Sequence, residues 1–127
     1  MMNPCYKTSA VVMSDLINQP MRRFGQVIRV KPEKLDHYLA LHANPWPSVL
    51  KMISACNIRN YSIYLLQDSM LFAYFEYTGS DFAADMQRMA ADKETRRWWA
   101  ETDPCQESLE LAPGEWWHNM KEVFHCD

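Results

Sequence analysis

The sequence predicts an α+β domain whose antiparallel sheet carries its helices on one face. Three observations predict it. An alternating segment lies near residue 24, two β-rich segments meet at a very short link, and helical stripes separate these from each other and from a last alternating stretch. The 127 residues fit one domain of ordinary size. Hydrophobic residues at 48% and charged residues at 23% are close to the averages for chains that bury a core in water, which speaks against intrinsic disorder and against a membrane protein.

Residues 1–20 are weakly patterned, end in Asn18-Gln19-Pro20, and are expected to be a mobile N-terminal extension to a single domain at 21–127. Phe24 to Val30 alternates, with Gln26, Ile28 and Val30 on one side and Val27 and Arg29 on the other, as a first strand does. Pro32 suits a first helical position, Glu33 favours the positive helix end, and Leu35, Tyr38, Leu39, Trp46, Val49, Leu50 and Ile53 make an apolar stripe. Pro45 and Pro47 should break this helix near Asn44, which is expected to cap the second piece. Ile58–Leu66 and Met70–Tyr77 are rich in β-branched, aromatic and aliphatic residues, and Gln67-Asp68-Ser69 is short enough for a hairpin. After Gly79, Ser80 is expected to cap a helix presenting Phe82, Met86, Met89 and Ala90, and a further helix is expected from Lys93 to about Glu101. Met120 to Cys126 alternates as a final strand would. The order βαββαβ is the split βαβ, or ferredoxin-like, plan: a four-stranded antiparallel sheet with helices on one face, the unit of dimeric α/β-barrel proteins. Such a sheet leaves its other face bare, so a homodimer formed through the sheet is expected.

Composition removes several function classes. Thirteen basic and 16 acidic residues give a net charge of −3, with no basic block to neutralise a phosphate backbone, so nucleic acid is not an expected partner. Gly25, Gly79 and Gly114 are too scattered for a phosphate-binding loop or a Gly-x-Ser-x-Gly elbow. The four cysteines form no Cys-x-x-Cys pair and read as reduced thiols. No apolar run is long enough for a membrane span and no signal-peptide pattern opens the chain, so the expected compartment is the cytoplasm. The spacing of His37, His42, His118 and His125 fits no zinc motif, so no metal is expected.

His42 is the most informative polar residue. It lies four residues after Tyr38 and four before Trp46, so helical spacing aligns all three beside the proline break. A core histidine bonded to a carbonyl is one reading; a pocket in which an imidazole exchanges protons near neutral pH is the other. Its place near a helix C-terminus should favour the protonated ring. His125 alternates on the last stretch and is a secondary candidate for the same cavity. Trp98 and Trp99 point about 100° apart on a helix, so both cannot share one narrow core stripe, and an indole outside it is either an interface residue or a stacking platform for a sugar. Tyr61 and Tyr64 add phenols in the second strand.

Taken together, Phe24 to Val30, Pro32 through Tyr38-x3-His42-x3-Trp46-Pro47, Asn60-Tyr61-x-Ile63-Tyr64-Leu65, Trp98-Trp99 and Glu122-Val123-Phe124 resemble the L-rhamnose mutarotase family over about residues 22–126. The combination of Tyr-x3-His-x3-Trp-Pro with a later Trp-Trp carries the resemblance. It implies a small dimeric ferredoxin-like isomerase that interconverts the α and β anomers of a 6-deoxyhexose, L-rhamnose or a relative such as L-fucose, without cofactor or metal. It also implies that His42 is the acid/base residue and that Tyr38, Tyr61, Trp98 and Trp99 contact the sugar. Trp46, Tyr64 and His125 remain further candidates. The residues before 21, the Ala43-Asn44-Pro45 insert and the long loop from Pro104-Cys105-Gln106 to Pro113-Gly114 depart from the family pattern. Two other classes share the plan: a dimeric α/β-barrel monooxygenase, and a non-catalytic sugar-binding module.

Overall fold

The computed structural model describes residues 21–127, so the expected extension at 1–20 lies outside the described residues. Strand β1 spans Arg22–Val30, two residues longer at its start than the alternation indicates. A 3-10 turn at Pro32–Lys34 leads into α1, Leu35–Ala43, and α2 follows at Pro47–Ala55. The break falls where the prolines place it, but Asn44 does not cap the second piece. Its N–H closes the end of α1 on the Leu41 carbonyl, and extended Trp46 is the residue that precedes α2. Pro47 is the reason, because a proline at the first helical position holds its predecessor extended.

Strands β2, Ile58–Leu66, and β3, Met70–Tyr77, form the expected hairpin. Gln67 and Asp68 both take positive φ, 51° and 56°, as the central residues of a tight turn closed by the Ser69 N–H on the Leu66 carbonyl at 3.2 Å. Helices α3, Phe82–Ala91, and α4, Lys93–Thr102, come next. Asp81 rather than Ser80 caps α3, its carboxylate accepting from the Ala84 N–H at 3.1 Å. Asp92 caps α4 in the same way, accepting from the Thr95 N–H at 2.9 Å.

After a 3-10 turn at Asp103–Cys105, β4 is only Gln106–Glu107, and β5 is His118–Met120. The strands run β2-β3-β1-β4, with β5 also on β1, and every pairing is antiparallel. The position of the fourth strand in the ferredoxin-like plan is thus shared by two short pieces on one edge of β1. The final strand therefore differs from the Met120 to Cys126 expectation. Beyond Met120 the chain leaves β1, the Glu122 carboxylate turns to the Arg23 guanidinium at 3.0 Å, and Val123 and Phe124 are 87% and 81% exposed. An alternating segment becomes a strand only where an edge and a core are both offered to it.

The helix-facing side of the sheet carries Ile28, Val30, Leu71, Ala73, Phe75 and Tyr77, all buried. Packing divides this interior into two clusters among the described residues. One gathers Ile28, Val30, Leu35, Tyr38, Leu71 and Trp117. The other gathers Cys56, Ile58, Phe75, Tyr77, Phe82, Met86 and Met89. Tyr61 packs against both. The opposite sheet face displays Tyr64, Leu66 and Met120, at 66%, 49% and 42% exposure.

Candidate active site

A bulge in β2 decides which tyrosine faces inward. The register shifts between Arg59 and Ser62, with Asn60 at φ 51° and its side-chain amide donating to the Glu76 carboxylate at 2.6 Å. Asn tolerates this left-handed backbone better than most residues. The extra residue flips the alternation, so Tyr61 and Ile63 join Ile58 on the helix-facing side. Tyr64, three residues from Tyr61, therefore points to the opposite face, paired with Phe72, and is not part of the cavity.

Between the two core clusters lie two adjoining cavities that share His42, Tyr61, Ile63, Trp98 and Trp99. The larger, about 340 Å³, is walled by Pro45, Val49, Leu50, Ile53, Met89 and Thr95. The smaller, about 50 Å³, ends on Tyr38, Thr102, Asp103, Gln106 and Trp117. A mostly apolar wall with a few convergent polar groups is the usual make-up of a small-molecule site, and the larger volume lies in the usual range.

His42 sits in the last turn of α1 and borders both cavities. Its Nδ1 lies 2.8 Å from the Tyr38 carbonyl oxygen. A carbonyl only accepts, so Nδ1 carries the proton and Nε2 of the neutral ring holds the free lone pair. The Tyr38 and Trp98 rings flank the imidazole, with centroids at 4.2 and 5.2 Å. Burial lowers its pKa below the ordinary 6.5, while the bond to the Tyr38 carbonyl acts weakly in the other direction. The direction is opposite to the one expected from the helix terminus, and burial is its cause.

Tyr38 is buried, and burial raises the pKa of its phenol. That of Tyr61 is pushed up to about 12, also by burial. Both phenols therefore keep their protons at neutral pH. Trp98 and Trp99, in the last turns of α4, both border the two cavities, their 100° separation placing them around its wall rather than on one stripe. Trp46 lines neither cavity. It braces Trp98 edge-on at 5.2 Å, with the Arg97 guanidinium 5.6 Å from its ring. His125 is exposed in the segment after β5, bonded to Asp127, and does not reach the cavity of its own chain. Leaving the sheet at Met120 removes the alternation that would have aimed it there.

Sequence reasoning missed Thr102, Asp103, Gln106 and Trp117. The adjacent Trp116-Trp117 was in plain view as a signal, hidden because it follows a turn at Gly114 and reads as loop. Among the described residues, no three His, Cys, Asp or Glu side chains come together as a metal site, and no helix is long and apolar enough to cross a membrane.

A sequence model of the family described as L-rhamnose mutarotase matches residues 23–126. The L-rhamnose mutarotase of Shouchella clausii is 33% identical over 107 residues, covering 83% of this chain and 98% of that one. The protein of the same name from Ligilactobacillus salivarius is 33% identical over 110 residues, covering 83% and 97%. Among solved structures, the L-rhamnose mutarotase of Formosa agariphila superposes with a TM-score of 0.65 at 17% identity, covering 84% of this chain and 99% of that chain, a likeness of fold.

Proposed function

Because the chain belongs to the L-rhamnose mutarotase family, we propose that His42 performs proton transfer in the interconversion of the α and β anomers of L-rhamnose, or of a related 6-deoxyhexose such as L-fucose. The protein is an isomerase acting on carbohydrate anomers, and the domain that carries the activity is assigned to residues 21–127. The observation that carries the assignment of His42 is its fixed tautomer at the junction of two cavities, with the basic nitrogen left unengaged by the Tyr38 carbonyl.

Mutarotation breaks the bond between the anomeric carbon and the ring oxygen. The anomeric hydroxyl loses a proton, the ring oxygen gains one, and the resulting aldehyde rotates and closes on its other face. His42 Nε2 takes the hydroxyl proton, and the imidazolium so formed returns it to the ring oxygen, so the ring ends neutral and no cofactor or metal is needed. A half-buried imidazole whose pKa is lowered below 6.5 begins this cycle in its basic form at pH 7. Tyr38 and Tyr61 orient sugar hydroxyls, and Trp98 and Trp99 take the apolar sugar face and the C6 methyl.

The chain works as a homodimer in this reading, with Tyr64, Leu66 and Met120 on the open sheet face covered by a second copy. A cytoplasmic location goes with this reading, since none of the four cysteines forms a Cys-x-x-Cys pair. Saturation-transfer NMR on L-rhamnose, L-fucose and other aldoses tests the activity. Acceleration of exchange for a 6-deoxyhexose is expected. Binding without acceleration leaves only a sugar-binding module, and a spectral response to haem with no exchange favours the monooxygenase class instead.

A further inference from the structure

Tyr38 is placed to give a hydrogen bond to the sugar only if its phenolic proton points into the cavity, and the residues behind it decide that. Gln106 stands opposite Val30 on β1 and borders the smaller cavity. The Trp116 indole N–H donates to Gln106 Oε1 at 2.9 Å. An indole nitrogen only donates, so this contact fixes which end of the amide is oxygen. The other end, Nε2, is then turned to the Tyr38 hydroxyl, 3.3 Å away, and can only donate to it. The phenol oxygen is an acceptor on its Gln106 side, so its own proton points away from Gln106, and the Tyr38 side chain borders the smaller cavity.

The loop between β4 and β5 builds this relay. Ser108 Oγ donates to the Glu115 carbonyl at 2.9 Å and accepts from the Glu110 N–H at 3.0 Å, and Gly114 takes φ 74° just before the chain returns. These bonds close the loop on itself and bring Trp116 back over Gln106. The loop thus delivers the donor that sets the amide.

We infer that Gln106, held by Trp116, is a positioning residue that makes Tyr38 a hydrogen-bond donor toward the ring oxygen or anomeric oxygen of the sugar. The inference rests on the mutarotase reading and adds a residue to it. Burial keeps the Tyr38 phenol protonated, so the relay governs the direction of a hydrogen bond and not a charge.

The test is Gln106→Glu, which keeps the shape and reverses the polarity. At pH 8 the carboxylate accepts from both Trp116 and Tyr38, and the phenol proton turns away from the cavity. Anomer exchange at saturating sugar should fall about 10- to 100-fold, less than the about 10²- to 10³-fold lost when a transition-state donor is removed outright, because the phenol stays and only its proton turns, while sugar affinity changes less than about threefold, as expected for a contact made mainly in the transition state. Lowering the pH protonates the new carboxyl and restores a donor toward Tyr38, so the ratio of variant to wild-type rate should climb toward one. A purely structural role would not produce that climb. Trp116→Phe, which frees the amide to flip, should lose about three- to tenfold, a partial share of the same effect, and it decides the matter alone if Gln106→Glu does not fold. A wild-type rate in the folded Gln106→Glu protein at pH 8, or a ratio indifferent to pH, or a Trp116→Phe protein with full activity, overturns the inference while leaving the mutarotase reading intact. A wild-type protein that exchanges no anomers overturns that reading and this one with it.

Discussion

Replacing His42 with Ala separates chemistry from scaffold. The imidazole makes one hydrogen bond, to the Tyr38 carbonyl at 2.8 Å, and two ring contacts, with Tyr38 and Trp98 at 4.2 and 5.2 Å. A hydrogen bond contributes about 1 kcal/mol and each ring contact about 0.5–1.5 kcal/mol, so the substitution costs about 2–4 kcal/mol. Domains of this size have stabilities of about 5–15 kcal/mol, so the variant should fold. A positioned acid/base group contributes about 10²- to 10⁴-fold in rate, or about 3–5 kcal/mol at the transition state. The expected outcome is therefore a folded protein, with the wild-type near-ultraviolet circular dichroism of its tryptophans, whose saturation-transfer rate falls by two to four orders of magnitude. His42→Gln, which retains bulk and an amide donor for the Tyr38 carbonyl, should recover stability but not rate. A folded variant that exchanges anomers at the wild-type rate refutes the acid/base assignment. A variant that does not fold makes His42→Gln the deciding protein.

Three other outcomes are expected. Trp98 is 8% exposed and touches both His42 and Trp46, so Trp98→Ala should cost about 3–5 kcal/mol in a denaturant titration, whereas half-buried Trp99→Ala should fold and weaken sugar binding in an NMR titration. Burial lowers the His42 pKa, so below pH 6.5 the unfolded chain binds a proton that the folded one resists, and stability is lost as pH falls through the lowered value; the thermal midpoint of wild type should drop more than that of His42→Gln between pH 7.5 and 5, and parallel drops would contradict the direction. Sedimentation should give twice the 15.0 kDa chain mass, and Leu66→Glu, placing a charge on the open sheet face, should yield a folded monomer; a wild-type monomer at micromolar concentration removes the dimer.

Local chemistry was enough to read much of this protein in its sequence. Strands β2 and β3 and the proline break between α1 and α2 follow from side-chain type and fixed φ, which act within a few residues. The Tyr38-x3-His42 spacing placed two site residues together because a helix repeats its faces whatever it packs against. Three things needed the tertiary structure. Periodicity alone offered Tyr61 and Tyr64 as phenols of one strand, the bulge at Asn60 decided which faces inward, and a one-residue bulge depends on what the partner strand offers, here the Glu76 carboxylate. The alternation of 120–126 promised a strand, but β1 accepts a neighbour only as far as Met120, so His125 ends in solvent. The charge state of His42 was the third. Its helix position pointed to a raised pKa, and burial among residues as distant in sequence as Tyr61 and Trp98 lowers it instead, because desolvation is set by every chain segment that closes over the ring.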